Sequence, residues 1–364
     1  MEDSKEKISV YQVMAIYILS LTVPGVRTFF TKVTIKAGTG AWVAPFLAII
    51  PSILFVLMLN KLLNIKVKNG EKINLTTIFD TVFGKIIGTI LSMMYLLWVI
   101  FSASMETRLF AERLISTTFI YTPIKFFILT MLIVVALVAR NKLTYFGRFA
   151  EIILELFVGI VFFVLITGLP NVDIYNLWPA TNFKDIFMGS FYSINLLCLL
   201  TFSLFIADNI ENKEKFKKFG IIASFFAIII SVLGIIITLG TFGKDLLPTF
   251  SQPFFMAVKV ISIFGVLERI EAIFTTFWVA LDFIMITYSI IVASQICKFK
   301  FKLKERKLAV NPVLLIVYIL SSFIAGNYFS MQFISRNIAL KVNIIFSLVI
   351  PIITYIVAKI RKAV

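Results

Sequence analysis

The side chains that could carry chemistry in this 364-residue chain are unusual in type, because the chain contains no histidine. Its absence excludes catalysis by Ser-His or Cys-His pairs, histidine metal sites and histidine pH switches. The two cysteines, Cys198 and Cys297, lie inside apolar runs and form neither a disulfide framework nor a CxxC metal site. We therefore expect no enzyme activity, no metal and no cofactor, and the candidate functional groups are carboxylates and cations within apolar segments.

One set of such groups lies in the apolar segment 143–169. Arg148, Glu151 and Glu155 are spaced so that they share one face of a helix. Glu155 would lie roughly 18 Å along the helix, at about 1.5 Å per residue. Two interpretations stay open, namely a proton site linked to ligand binding and an ion-pair clamp between Arg148 and the glutamates.

A second set opens a later apolar segment with Glu268, Arg269 and Glu271, and Asp282 follows eleven residues after Glu271. Three helical turns separate those two carboxylates, which places them on one face. Arg269 or Glu271 could gate an outer entrance, and Asp282 could face a coupling ion or a ligand amine. The alternative is a structural salt bridge to charged residues of the third apolar segment, which are Glu106, Arg108, Glu112 and Arg113.

The elements that must position these groups are membrane helices. Hydrophobic residues make up 60% of the chain and charged residues 15%, which is typical of a polytopic membrane protein. Since about 20 apolar residues span a bilayer, the sequence predicts ten transmembrane helices. They cover about 8–28, 40–63, 86–110, 124–139, 143–169, 186–207, 219–242, 265–297, 309–326 and 339–360. We expect one all-α, membrane-embedded domain over 1–364, with halves at 8–169 and 186–360.

The net charge of +16 is a topology signal. With the N-terminus inside, 23 of the 35 Lys and Arg residues fall on the cytoplasmic side, the densest run being 298–307. We therefore predict that both termini are cytoplasmic. The basic residues alternate by loop and do not share a face, which argues against binding to nucleic acid. The N-terminal residues lack the features of a cleaved signal peptide, so we expect the first helix to be retained.

Two of the predicted helices carry interrupting features at matching places in the two halves. The first contains Thr22-Val23-Pro24-Gly25, and the sixth carries an unusually polar stretch over 189–195. Interrupted helices at corresponding positions point to a transporter binding site at the repeat interface. The alternative is a proline kink in the first helix and a small-residue packing face in the sixth.

Short motifs recur in order along nearly the whole chain. They are Ile8-Ser9-x-x-Gln12, Ala41-Trp42, Phe83-Gly84-Lys85-x-x-Gly88, Thr122-Pro123, Gly147-Arg148-x-x-Glu151, and Leu267-Glu268-Arg269-Ile270-Glu271 with Trp278. In this respect the chain resembles the spore germination permease family, the GerAB/GerKB-like B subunits of nutrient germinant receptors. That family belongs to the amino acid–polyamine–organocation superfamily.

The resemblance implies a LeuT-like five-plus-five inverted repeat with broken first and sixth helices. It also implies binding of a small nutrient germinant, often an amino acid, and partnership with an A subunit and a lipoprotein C subunit. The expected location is the inner membrane of a bacterial endospore. The expected ligand-binding residues are Thr22, Pro24, Gly25, Val26, Tyr95, Ser190, Phe191, Tyr192, Ser193, Phe274 and Trp278. The expected ion, proton or gating residues are Arg148, Glu151, Glu155, Glu268, Arg269, Glu271 and Asp282.

One departure from the family pattern concerns the first helix. The family's break is glycine-rich ahead of a proline, whereas here the order is Pro24-Gly25-Val26-Arg27. Arg27 could supply positive charge to an anionic ligand group or anchor the helix at the outer interface. The competing function is an ion-coupled amino-acid permease of the same fold.

Overall fold

The computed structural model describes residues 7–65, 73–117, 119, 121–178, 182–250, 252–261, 270–326 and 328–361. Within this part of the chain, seven helical segments are long and apolar enough to cross a membrane, and three shorter apolar helices accompany them. Together they correspond to the ten predicted segments. The architecture is all-helical apart from one short pair of strands, β1 (Ile8–Ser9) and β2 (Ile210–Glu211).

The ten spans are named helix 1 to helix 10 in chain order. In the first half they are helix 1 (Val10–Pro24, Gly25–Phe29 and Phe30–Ala37), helix 2 (Gly38–Trp42, Ala44–Ala48 and Ile49–Leu63), helix 3 (Lys85–Thr117), helix 4 (Ile124–Ala139) and helix 5 (Leu143–Gly168). In the second half they are helix 6 (Phe183–Ser193 and Ile194–Asn209), helix 7 (Phe216–Leu246), helix 8 (Ile270–Lys300), helix 9 (Lys307–Phe323) and helix 10, which runs in five pieces from Tyr328 to Ile360. Two short helices lie in connections, Leu75–Phe83 and Pro253–Val260.

The interruptions of helices 1 and 6 are changes of helical hydrogen bonding. In helix 1 a π-helical turn occupies Gly25–Phe29, directly after Pro24, which has no amide hydrogen to donate. The amide of Gly25 still donates to the carbonyls of Leu21 and Thr22. Helix 6 passes from α-helix to 3-10 helix at Ile194. Helices 1 and 6 are therefore interrupted at the predicted places by a change of helical type, and the backbone stays helical on both sides.

The connection before helix 3 depends on two glycines. Gly84 has a φ of 87°, a backbone conformation that side-chain-bearing residues rarely adopt. A Cβ on Gly88 would lie 2.7 Å from the backbone nitrogen of Asp80. Gly88 thus lets the helix Leu75–Phe83 pack directly against helix 3, and places the Asp80 carboxylate 2.6 Å from Lys300 at the end of helix 8.

The protein core lies between helices 1, 3, 6 and 8. These helices carry most of the largest fully buried side chains, among them Tyr17, Tyr95, Phe202 and Tyr288. Helices 5 and 10 instead expose many apolar side chains, as expected of helices that contact lipid. The central helices therefore present side chains to one another at the centre of the bundle.

One end of the bundle, called the β end, is held together by the pairing of β1 with β2. This parallel pair joins the start of helix 1 to the chain just after helix 6. Lys7 and Glu211 form an ion pair of 3.0 Å beside it. From helix 8, Gln295 donates to the carboxylate of Asp208 at 2.9 Å. Helices 1, 6 and 8 are thus bound to one another at this end.

Candidate functional site

A central cavity lies between helices 1, 3, 6, 8 and 10. It comprises about 750 Å³ of space between protein atoms, part of it open to the surroundings. Most of the contributing residues lie near the middle of their helices, so the cavity is at mid-depth in the bundle, with Lys32 nearer the end of helix 1. The lining residues are Leu21, Pro24, Gly25, Phe29, Lys32, Trp98, Ser102, Met105, Glu106, Tyr192, Cys198, Leu199, Phe202, Met285, Ser289 and Asn343.

An aromatic wall forms one side of the central cavity. Trp98 of helix 3 stacks on Phe346 of helix 10, with ring centroids 5.2 Å apart and planes 7° apart. Phe202 of helix 6 packs edge-on against Trp98 at 5.2 Å. The Trp98 indole donates to the amide oxygen of Asn343 at 2.9 Å, which fixes both side chains. A rigid aromatic wall of this kind offers a flat apolar surface to a ligand.

The acidic residue of the cavity wall is Glu106 on helix 3. Both of its carboxylate oxygens accept hydrogen bonds of 2.8 Å from the guanidinium of Arg27 on helix 1. Arg27 is buried, so it is not an anchor at the outer interface, as one interpretation of the sequence had it. Its charge is compensated within the protein, which gives the buried pair the partnership that ionised groups need away from water.

The other polar lining residues come from five helices. They are Lys32, Ser102, Tyr192, Cys198, Ser289 and Asn343. The Ser289 hydroxyl donates to the Met285 carbonyl of its own helix at 3.0 Å. The cavity therefore combines an apolar aromatic face with both a cation and a carboxylate, which suits a small molecule that carries both signs of charge.

A second buried ion pair links helix 3 to helix 8. The guanidinium of Arg113 binds the carboxylate of Asp282 and also lies 4.5 Å from the ring centroid of Trp278. Asp282 therefore has an internal cationic partner, and the interpretation that it faces a coupling ion or a ligand amine stays a prediction. The salt bridge between helices 8 and 3 predicted as the alternative does exist, but Asp282 forms it.

A second cavity, called the apolar cavity, lies between helices 1, 5, 7 and 8 and the helix Pro253–Val260. It comprises about 590 Å³ of space between atoms. Three residues expected in the ligand site line it, namely Thr22, Phe274 and Trp278. The other lining residues are Phe30, Phe157, Ile160, Val161, Val164, Leu165, Ile230, Leu233, Gly234, Ile237, Phe254, Phe277 and Leu281. The structure thus divides the expected site between two cavities, with Pro24, Gly25 and Tyr192 in the central one.

Four expected ligand-binding residues line neither cavity. Tyr95 packs behind Trp98, with their ring centroids 5.7 Å apart. Its hydroxyl donates to the Phe346 carbonyl, so Tyr95 supports the aromatic wall. Ser190 donates to the Phe187 carbonyl of its own helix, and Ser193 is buried. Phe191 is 54% exposed at the outer surface of helix 6. A Cβ on Gly189 would lie 2.9 Å from the Cβ of Ala37. The face of helix 6 that carries Gly189 therefore packs closely against helix 1.

The predicted clamp on helix 5 has a different composition. In the described part of the chain, no ion pair joins Arg148 to Glu151 or Glu155, and Arg148 and Glu155 are both exposed. Glu151 instead accepts a hydrogen bond of 3.1 Å from Gln12 of helix 1. The predicted ion pair between Arg148 and the glutamates is therefore wrong for the described residues, and Gln12 is the partner of Glu151 instead.

Several expected residues lie outside what the structure describes. They are Glu268, Arg269 and the side chains of Val26 and Glu271. In the described part of the chain, no group of three or more acidic or cysteine side chains is placed to hold a metal ion.

Sequence reasoning missed most of the cavity wall. Trp98, Phe202 and Asn343 carry no signal in a chain so rich in aromatic and apolar residues. Arg27 and Glu106 did carry one, because they are ionisable residues of opposite sign on different spans. Pairing such residues across helices would have placed helix 1 beside helix 3.

Comparison with known proteins agrees with this geometry. A family model described as "Spore germination protein" matches residues 7–330. The chain belongs to this spore germination family. Spore germination protein KB of Bacillus subtilis (strain 168) is 24% identical over 293 residues, which is 78% of each chain. Putative spore germination protein YfkT of the same strain is 22% identical over 360 residues, which is 97% of each chain.

A solved structure confirms the fold. The crystal structure of MhsT in complex with L-phenylalanine aligns with a TM-score of 0.64 at 13% sequence identity, covering 93% of this chain and 87% of that one. MhsT has the LeuT fold, so the spore germination chain is a LeuT-like, all-helical membrane protein.

The motifs that suggested the family mainly hold helix ends together. Ser9 and Gln12 form a capping box at the start of helix 1, and Gln12 then reaches Glu151. A Cβ on Gly147 would lie 2.9 Å from the side chain of Ile8, so a larger residue there would require that side chain to shift. These motifs therefore identify the fold more than they identify the ligand site.

Proposed function

We propose that this spore germination protein is the nutrient-binding B subunit of a germinant receptor. A small molecule, most simply an amino acid, occupies the central cavity and favours one of two conformations. The observation that carries this proposal is the cavity itself, at mid-depth between helices 1, 3, 6, 8 and 10 of a LeuT-like fold.

The cavity chemistry supports an amino acid. The Lys32 ammonium is a suitable partner for a carboxylate. Glu106 is a suitable partner for an ammonium, because a carboxylate has about four lone-pair sites and Arg27 uses two. The aromatic wall of Trp98 and Phe202 would receive an apolar side chain.

Signalling follows from the packing of helix 1. Gly25 and Phe29 line the central cavity, while the start of the same helix is tied through β1 to β2, just after helix 6. A ligand that repositions the middle of helix 1 would alter the β end. We place this end in the cytoplasm with both termini, in the inner spore membrane, where an A subunit and a lipoprotein C subunit would receive the signal.

Paired substitutions test the site in spores that carry this chain as their B subunit. Tyr192→Ala, which removes a lining side chain, should abolish the germination response, whereas Phe191→Ala removes an exposed neighbour and should leave it intact. Gly25→Trp should fill the cavity, and Gly159→Trp on the outer face of helix 5 is its control. Normal germination in both cavity variants, with normal membrane levels, would overturn the site.

Ion-coupled amino-acid uptake is the alternative activity for the same cavity. The pairing of the buried Asp282 carboxylate with Arg113 favours the receptor, because an arginine occupies the place of a coupling cation. Uptake of radiolabelled amino acids by reconstituted liposomes separates the two. Concentrative uptake that depends on an ion gradient would make the protein a permease.

A further inference from the structure

Arg306, in the connection between helices 8 and 9, joins two basic segments at the β end. Its side chain is buried, and its guanidinium donates to the backbone carbonyls of Ala139 at 2.5 Å and of Asn141 at 2.8 Å. Both acceptors belong to the turn between helices 4 and 5. Thr144, just after that turn, donates to the carbonyl of Lys7 beside β1. Arg306 thus fastens the 8–9 connection to the 4–5 turn at the end of the bundle that carries the strands.

This junction gathers four exposed cations, two from each segment. They are called the basic patch and are Arg140, Lys142, Lys302 and Lys304. In the described part of the chain, no ion pair is formed by Arg140, Lys302 or Lys304. The carboxylate of Glu305, the acidic residue within the 8–9 connection, is bound by Lys307. The basic patch therefore carries uncompensated positive charge.

The end of helix 8 holds one of these cations in a conformation that lysine seldom adopts. Lys302 has a φ of 52°, and the amide of Leu303 after it donates to the carbonyl of Lys298 at 2.9 Å. This hydrogen bond closes a Schellman cap, in which glycine or asparagine usually occupies the left-handed position because a Cβ is crowded there. Lysine therefore brings to this position a charge and not a backbone advantage.

Short connections hold the basic patch at the boundary of the membrane. Residues 140–142 separate helices 4 and 5, and residues 301–306 separate helices 8 and 9. Phe301 and Leu308, beside the patch, are 60% and 56% exposed. Exposed apolar side chains next to fixed cations suit the region between phospholipid headgroups and acyl chains, and basic clusters at the ends of spans bind anionic lipid. A water-soluble acidic partner would match the charge but not the exposed apolar side chains.

We propose that the basic patch binds the headgroup of an anionic phospholipid, while Phe301 lies against its acyl chains. The headgroup is held from two sides, by Arg140 and Lys142 of the 4–5 turn and by Lys302 and Lys304 of the 8–9 connection. Because Arg306 fastens the two segments to each other, the four cations form one site. This site is separate from the central cavity and does not depend on the proposed function.

Retained lipid is the first test. The protein is purified from micelles that contain equal amounts of phosphatidylglycerol and phosphatidylcholine, and the lipids bound per protein are measured after detergent exchange. The parent should retain phosphatidylglycerol preferentially. Lys302→Gln with Lys304→Gln should lower that preference at least about fivefold, which is the contribution of one basic residue near an anionic surface. The matched control, Lys217→Gln with Lys218→Gln, removes two exposed charges from the start of helix 7 and should leave the preference unchanged.

A tryptophan reporter tests the place of binding. In a chain whose four native tryptophans are replaced by Phe, Phe301→Trp provides an indole beside the basic patch. Brominated phosphatidylglycerol should quench its emission more strongly than brominated phosphatidylcholine does, and Lys302→Gln with Lys304→Gln should abolish that difference. The control reporter, Phe162→Trp on the exposed face of helix 5, should be quenched equally by both lipids.

Three results would overturn the lipid site. The first is equal quenching of the Phe301→Trp reporter by the two lipids. The second is an equal loss of lipid preference in the Lys217 and Lys218 control, which would show attraction to the overall charge of the β end. The third is a full preference that survives the loss of Lys302 and Lys304, which would leave the basic patch to an acidic partner protein. None of these results bears on the nutrient site in the central cavity.

Discussion

The guanidinium of Arg27 on helix 1 binds both carboxylate oxygens of Glu106 on helix 3 at 2.8 Å, and their side chains are only 4% and 3% exposed. Seven residues further along helix 3, Arg113 binds Asp282 of helix 8. Seven residues are about two helical turns, so both groups lie on nearly the same face of helix 3. Helix 3 thus presents a negative charge to helix 1 and a positive charge to helix 8.

We predict that Glu106→Gln strongly destabilises the protein. The substitution leaves Arg27 buried without a counter-charge, and breaking a buried ion pair in this way costs about 3–5 kcal/mol. The measurement is thermal unfolding of the purified protein in detergent, reported as the loss in transition temperature.

The matched control is Glu211→Gln, which breaks the exposed Lys7–Glu211 pair. Exposed pairs contribute about 0–1 kcal/mol, so this variant should unfold close to the parent temperature. The double variant Arg27→Met with Glu106→Leu removes both charges and should recover most of the stability while losing the nutrient response. Equal effects of Glu106→Gln and Glu211→Gln would contradict the buried pair.

A further prediction concerns Asp282. Asp282→Asn should destabilise the protein because the buried guanidinium of Arg113 then loses its carboxylate partner. Raising the sodium concentration should not rescue the variant, nor should it stabilise the parent, since the carboxylate already has an arginine partner. Thermal unfolding in sodium chloride and in choline chloride provides the check. Selective stabilisation of the parent by sodium would instead indicate a coupling-ion site.

The fold was predictable from the sequence because a helix needs about 20 apolar residues to cross a bilayer. Helix 4 begins and ends where the apolar pattern predicts, and helix 5 differs by one residue. Helix 1 ends at Ala37, well beyond the predicted limit, and helix 10 begins at Tyr328, well before it. Helix 1 continues through Lys32 and Lys36, where charged residues suggested an end, because its last turns pack against helix 6.

The ligand site was only partly predictable, for two physical reasons. Pro24 and Gly25 have a distinctive backbone effect, so the sequence alone places them at an irregular point of helix 1. Trp98 and Phe202 become part of a wall only because three helices converge there, and no local pattern reports such convergence. Phe191 and Tyr192 are adjacent, yet a rotation of about 100° per residue along helix 6 places Phe191 outside and Tyr192 in the cavity.

We predict opposite effects for two glycine-to-alanine substitutions. In Gly88→Ala the new methyl group would meet the backbone of Asp80 at 2.7 Å, and overpacking of this kind costs about 1–3 kcal/mol. A Cβ on Gly159 meets no atom within 4 Å in the described structure, so Gly159→Ala should stabilise helix 5 by about 0.5–1 kcal/mol. Transition temperatures of both variants test this, and a similar change in both would refute the close approach at Gly88.

Glu155 provides the last prediction, which concerns proton linkage. The residue is exposed on helix 5 and forms no ion pair with Arg148 in the described structure, and it lines neither cavity. Its protonation should therefore have no route to the ligand, and Glu155→Gln should leave nutrient affinity and its pH dependence unchanged. The measurement is the nutrient-induced shift in transition temperature between mildly acidic and neutral pH. The comparison variant is Glu151→Gln, which weakens the hydrogen bond that Gln12 donates. It should lower the free energy of unfolding by at most about 1.5–3 kcal/mol. A flattened pH dependence in Glu155→Gln alone would show that this carboxylate carries the proton that accompanies binding.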